Sequence, residues 1–377
     1  FKLILLRLMG ALVSSSNRPV RLMIMGSKGT GKATLFRQLK FLSLGGGEQD
    51  HPLVVEQRSR YVSHVLYTAQ QSVEVIITTL GLSFDRVKVE AKLLNRDKLS
   101  SVGDCSLVEL WQLVTAPAVA QALLQHASQL AAADLHSAFS PLYFLTNLKR
   151  FAANDFCPSL EDVMRVCTNT PSLRQMEGDF AGSCLHIWSI PALLYLTQNV
   201  FFQAVARLSG EGVLAVTVNL AGFDEVVDSD DGTTALHQAL DLWSSICSSP
   251  YILHLSIRPV LLFTKIDVFR QKLESGVSVS HFWEGYSSFA SCFPNLTSSR
   301  TGVLFFAHLF TRVLLKFKLD TYGGLDRQPP PKLPKAPLYI LCVDATDKQC
   351  VSHCFGVVKD SNLFSITAAA AAAAAAA

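Results

Sequence analysis

The chain has 377 residues, 49% of them hydrophobic and 17% charged, with a formal net charge of +3. That is enough apolar material for two domains with cores of their own, and too little positive charge to argue for nucleic-acid binding. Nine cysteines without a C-x-x-C pair are expected as reduced thiols of a cytoplasmic protein, and the ten histidines form no ligand cluster.

Phe1–Val13 is apolar but holds Lys2 and Arg7, and it is too short to span a bilayer. A packed or interfacial helix, or the remnant of a targeting segment, accounts for it. The chain opens on Phe1 and not on methionine, so the natural N-terminus and any lipidation signal are expected to be missing, which would make residues 1–19 a truncated N-terminal segment. Val20–Met25 is an apolar run that predicts a buried strand. Residues 26–34 then read Gly-Ser-Lys-Gly-Thr-Gly-Lys-Ala-Thr. The phosphate-loop pattern G-x-x-x-x-G-K-[ST] fits from Gly26 through Lys32 and meets Ala33 where a hydroxyl is required. Gly26 and Gly31 let the backbone turn so that the amides of Lys28, Gly29, Thr30 and Gly31 line a concave anion site. Lys32 supplies positive charge between terminal phosphates, and Ala33 cannot reach a magnesium ion. Lys32–Leu44 has helical spacing, with Leu35, Leu39 and Leu42 on one face. Strand, glycine loop and helix in that order are the context the motif needs; a glycine-rich turn with an incidental lysine is the plainer alternative. The loop is expected to hold phosphate well and magnesium poorly.

Gly45–Gly47 breaks the pattern, and a polar stretch runs to about Arg60. Tyr61–Leu80 keeps helical spacing through Val62, Val65, Leu66, Ala69, Val73, Ile76, Ile77 and Leu80. Further helical patterns cover Leu107–Val114, Ala118–Leu135 and Leu142–Phe151, so residues 46–160 are predicted to be all-helical. From Arg165 onward, short apolar runs of strand length (Cys184–Ile190, Gly212–Leu220, Arg258–Phe263, Leu338–Val343) alternate with helical patterns, including Thr233–Cys247 and Gln349–Leu363. This alternation predicts an α/β fold, a mainly parallel sheet with helices on both faces, interrupted after its first helix by the helical insertion. Cys350 and Cys354 lie on one face of the last helix, where packing explains them better than metal. Gln328–Pro337 holds five prolines in ten residues and reads as a stiff loop in polyproline II conformation, or as a ligand for a polyproline-reading module. Residues 368–377 are all alanine; they are read as unassigned positions and left out of fold reasoning.

Several of these pieces resemble one family. The phosphate loop runs into Arg37-Gln38-Leu39-Lys40-Phe41-Leu42. Leu142-Tyr143-Phe144 through Asp162-Val163-Met164-Arg165 is similar to a junction from a helical domain back to a nucleotide domain. Leu242–Cys247 resembles a helix before a base-recognition strand, Leu262-Phe263-Thr264-Lys265-Ile266-Asp267 an N-K-x-D element, and Asp344-Ala345-Thr346-Asp347 a T-C-A-T guanine loop. In this order they resemble the α subunit of heterotrimeric G proteins over nearly all of residues 20–367. The resemblance implies a Ras-like P-loop GTPase domain from residues 20–45 and 161–367 with an inserted all-helical domain at 46–160. It implies GDP or GTP as ligand. Thr34 would reach the α-phosphate and Asp267 would accept two hydrogen bonds from the guanine edge. Thr264 would stand in for asparagine in holding the phosphate loop beside Lys265. The Ala345 amide, followed by Thr346, would meet the guanine oxygen.

The departures concern catalysis and metal. Where the family has its arginine finger this chain has Cys167, which carries no fixed charge; nominating Arg165 instead costs Thr170 its match to the magnesium-binding threonine. Aligning Leu185–Trp188 with the strand before D-V-G-G-Q puts Ser189 at the aspartate and Leu193 at the water-orienting glutamine. Pro191 restricts a segment where the family has glycines. Thr170 is then the one surviving position of three that support magnesium, and both hydrolytic residues are gone. The expectation is a pseudo-GTPase, not an enzyme, with a statically bound guanine nucleotide and weak or no magnesium. It would act as a structural or adaptor subunit among stable protein partners. A working guanine-nucleotide switch whose hydrolysis is completed by a partner, and a phosphate-loop kinase or ATPase, remain as alternatives. Receptor coupling has no support in the sequence; a cytoplasmic, cytoskeletal or ciliary setting is expected, with no transmembrane segment.

Overall fold

A computed structural model describes residues 20–44, 51–82, 106–127, 130, 140–153, 155–166, 174–180, 183–190, 212–227, 232–248, 258–321 and 339–359. Its centre is a six-stranded sheet built from β1 (Val20–Met25), β2 (Arg174–Phe180), β3 (Ser183–Ser189), β4 (Gly212–Asn219), β5 (Arg258–Thr264) and β6 (Tyr339–Val343), in the order β2-β3-β1-β4-β5-β6. All neighbours are parallel except β2 with β3. The central strands β1, β4 and β5 are largely apolar runs because side chains on both faces of the sheet are packed into cores against helices, while Cys184 of β3 and Cys342 of β6 are exposed. The edge strand β2 reads Arg-Gln-Met-Glu-Gly-Asp-Phe. Its polar residues hide it from hydropathy, and only the register with β3 makes it a strand.

Alternate side chains of the strands feed two cores. On one face Met23, Met25, Leu214, Val216, Val218, Leu261 and Phe263 pack with Trp243 of α8 (Ala235–Cys247), Phe269 of α9 (Ile266–Glu274) and Phe306 and Phe310 of α11 (Ser298–Thr321). The short helix α10 (Tyr286–Ser291) adds Tyr286 and Phe289 at its margin. The buried Trp243 indole donates to Phe310 O at 2.9 Å, so its one polar atom is satisfied. On the other face Leu22, Ile24, Ile187, Val213, Ala215, Val260, Leu262 and Val343 pack with Leu35, Leu39 and Leu42 of α1 (Lys32–Ser43) and Val351 and Cys354 of α12 (Lys348–Lys359).

Among the described residues between Pro52 and Arg165 all regular structure is helical: α2 (Pro52–Ser59), α3 (Val62–Thr79), α4 (Leu107–Thr115), α5 (Pro117–Gln125), α6 (Pro141–Phe151) and α7 (Leu160–Arg165). A third core joins Val65, Ala69 and Val73 of α3 with Leu110, Leu113, Phe144, Leu148 and Phe151. Helix α2 lies in the stretch read from the sequence as polar, within the region 46–160 predicted to be helical. Pro52 starts it at a position where no amide hydrogen is needed, and it buries Val54 alone, against Phe41, Val163 and Met164. One buried side chain in two turns leaves no periodic signature. The helix expected at Ala118–Leu135 is described as α5, His126, Ala127 and Leu130; residues 128, 129 and 131–135 lie outside the described residues, as do Phe1–Val13, Gly45–Gly47, Gln328–Pro337 and the alanine tail. Among the described residues no helix is long and apolar enough to cross a membrane.

Candidate nucleotide site

The carboxyl ends of β1, β4, β5 and β6 lie side by side, and the loops leaving them hold the residues singled out above. β1 stops at Met25 because Gly26 takes φ 149°; a Cβ there would overlap the hydroxyl and carbonyl of Thr217 on β4. The close approach is used. Thr217 Oγ1 donates to Met25 O at 2.9 Å, the Thr217 and Thr30 hydroxyls are 2.7 Å apart, and Thr30 Oγ1 is 2.9 Å from Ser27 O. Gly29 and Gly31 have φ of 79° and 77°, a left-handed geometry that glycine adopts without strain. Gly31 caps α1 with no side-chain cap, and the first turn of α1 carries no acidic residue. The free amides and the positive end of the helix therefore face the loop, which suits an anion. Lys32 reaches back across the loop, its Nζ donating to Gly26 O at 2.5 Å and Ser27 O at 2.6 Å. Burial pushes its amine down to about 8. Three left-handed glycines, open amides and a desolvated ammonium fit a phosphate chain.

The base-side loops join directly onto this cradle. Thr264, fully buried at the end of β5, donates to Thr30 O and to Val218 O, each at 3.1 Å. One hydroxyl thus ties the base loop to the phosphate loop. Lys265 follows at φ 55°, the only non-glycine with positive φ among the described residues. A left-handed lysine costs on the order of 1 kcal/mol, and it turns the chain into α9, where Asp267 stands exposed in the first turn. On the neighbouring strand, β6 ends at Val343, in register with Thr264. Ala345 is buried in the second core, while Thr346 is exposed and held by Asp344.

Other expected positions do less. Ala33 lies in the first turn of α1 and offers a methyl group only. Thr34 Oγ1 donates to Met164 O at 3.2 Å and accepts from Arg37 at 3.2 Å, so its hydroxyl is engaged with the last turn of α7. Ser189 ends β3 in register with Ile24 and is buried; it brings a hydroxyl, not a carboxylate, to that strand end. Thr170, Cys167, Pro191 and Leu193 lie outside the described residues, and no cluster of three His, Cys, Asp or Glu residues that could hold a metal ion occurs among the described ones.

Two participants were not legible as such. Thr217 belongs to a strand with no motif, and only the parallel register of β1 and β4 brings it under the glycine loop. Arg37, buried on α1, donates to Val166 O at 2.9 Å and stacks near Tyr61, which fastens the helix behind the phosphate loop to the segment returning from the helical part.

A family model described as G-protein alpha subunit matches residues 11–362. The chain is also 24% identical over 288 residues to the guanine nucleotide-binding protein alpha-1 subunit of Neurospora crassa, covering 72% of this chain and 75% of that protein. A parallel sheet with its glycine loop, lysine and left-handed base loop at one end, matched by this family from residue 11 to residue 362, places the assignment on both structure and sequence: the chain belongs to the G-protein alpha subunit family.

Proposed function

We propose that this chain binds a guanine nucleotide, GDP or GTP, without hydrolysing it, and that it serves as a structural or adaptor subunit in a cytoplasmic protein assembly. The observation that carries the reading is the contrast within one site. The parts that hold a ligand are present and mutually braced: Gly26, Gly29, Gly31, Lys32, and Thr30 tied to both Thr217 and Thr264. Two positions that would support magnesium carry Ala33, which has no hydroxyl, and Ser189, which has no carboxylate, and the position that would orient water carries Leu193, so the charge and polarity that phosphoryl transfer requires there are missing. A nucleotide in this cradle would supply the phosphate charge that Lys32 and the loop amides neutralise, and a base edge for Asp267.

Equilibrium binding of fluorescent GDP tests the proposal. It predicts Lys32-dependent binding that is unchanged within about twofold by EDTA and that guanosine nucleotides, not ADP, compete away. Binding that vanishes with EDTA, or that ADP displaces equally well, would contradict it.

A further inference from the structure

The loop after β6 is built around side chains that the resemblance gives no role. Asp344 Oδ1 accepts from the Thr346 amide at 2.9 Å and from the Thr346 hydroxyl at 2.6 Å, an aspartate turn closed over two residues. The Asp347 amide donates back to Asp344 O at 3.2 Å. From the other side, the Asp344 amide donates to Cys350 Sγ at 3.3 Å, and Cys350 Sγ lies 3.8 Å from Cys342 O at the end of β6. Cys354, one turn further along α12, donates to the same carbonyl at 3.6 Å. Burial, with Cys350 beside it, pushes the Cys354 thiol up to about 12, so it stays a donor at neutral pH. The thiols on α12 thus grip the end of the strand while Asp344 folds the loop onto itself. None of these bonds uses the amide of Ala345, whose methyl group is fixed in the core.

We infer that Asp344 and Cys350 are positioning residues that fix the base-reading loop of this chain, Asp344 from within the turn and Cys350 from the helix behind it. The inference rests on the guanine-nucleotide reading above and adds how this chain sets its base preference. The ligand contact belongs to Ala345; Asp344 and Cys350 act through it, by holding the one amide the turn leaves over at a fixed place.

Binding of GDP, IDP and ADP to the full chain, measured for Asp344→Ala, Asp344→Asn, Cys350→Ala and Cys350→Ser beside the parent, tests this, with melting temperature recorded to confirm folding. Asp344→Ala should weaken GDP and IDP by about tenfold and leave ADP unchanged, narrowing the preference by the same factor, as loss of one well-placed hydrogen bond would. Asp344→Asn keeps an oxygen for the Thr346 amide and should bind within about twofold of the parent. Cys350→Ala should weaken GDP about threefold and Cys350→Ser, which can still accept, should restore it. A folded Asp344→Ala protein with parental GDP affinity and preference, or an Asn variant as weak as the Ala variant, would overturn the inference and leave the proposed function standing. A parent chain that takes up no guanine nucleotide would overturn both.

Discussion

Lys32 is held by two main-chain oxygens of its own loop, at 2.5 and 2.6 Å, with most of its side chain withdrawn from water. Burial puts its amine at about 8 and not in the usual lysine range. Phosphate binds the charged form, so GDP affinity should be full below pH 8 and fall as the pH rises through it; a fluorescence titration from pH 7 to 9 should show this slope, and Lys32→Met should be weak and flat across the same range. Thr264 makes a second prediction at this scale. Thr264→Ala leaves the buried Thr30 and Val218 carbonyls short of a donor and should cost about 1–2 kcal/mol in urea unfolding, whereas Thr264→Ser should cost less than half of that. The glycines and Lys32 could be read from the sequence because a sharp turn is a local requirement that only a few residue types meet. Thr217 and Arg37 could not. Thr217 meets Met25 across 192 positions of chain, and Arg37 meets Val166 across 129; the fold alone creates those contacts.

Among the elements, α7 is fixed by one carboxylate. Ser159 and Asp162 form a capping box, and the fully buried Asp162 also accepts from Arg150 at 2.6 and 2.8 Å and from the Tyr143 hydroxyl at 2.7 Å. Burial pushes this carboxyl up, but the hydrogen bonds from Arg150, Tyr143 and Ser159 outweigh it and leave it below the usual carboxylate range. Its contribution to stability is therefore complete above pH 4 and is lost as the pH falls through the lowered value. Asp162→Ala should cost about 3 kcal/mol at pH 7, at the lower end for a broken buried pair because Arg150 is partly exposed, and should flatten the acid limb of the stability curve. Strong periodicity made β1, α1, α3 and the parallel strands legible within a residue or two. It missed α2, which buries Val54 alone, and β2, whose exposed edge carries charge. The sequence also leaves residues 266–321 undivided, where α9, α10 and α11 share aromatic packing through Phe269, Phe289, Phe305 and Phe306. Their apolar residues are dense enough to blur the boundaries that capping and turns impose.

At the scale of the whole molecule, the braced end of the sheet and the helical core are separate packing units. They meet through Arg37, Thr34 and the segment from Met164 to Val166. A ligand gripped by the sheet end should therefore stabilise the sheet core directly, by mass action on the folded state. The proposed function requires that this end of the sheet retain a nucleotide without cutting it. The most direct measurement is to load the purified chain with GTP, incubate it for many hours, extract the nucleotide and resolve it by chromatography, with Lys32→Ala as the control. The account predicts GTP recovered intact from the parent chain at near-stoichiometric occupancy. GDP accumulating on the parent faster than in the Lys32→Ala control would contradict it.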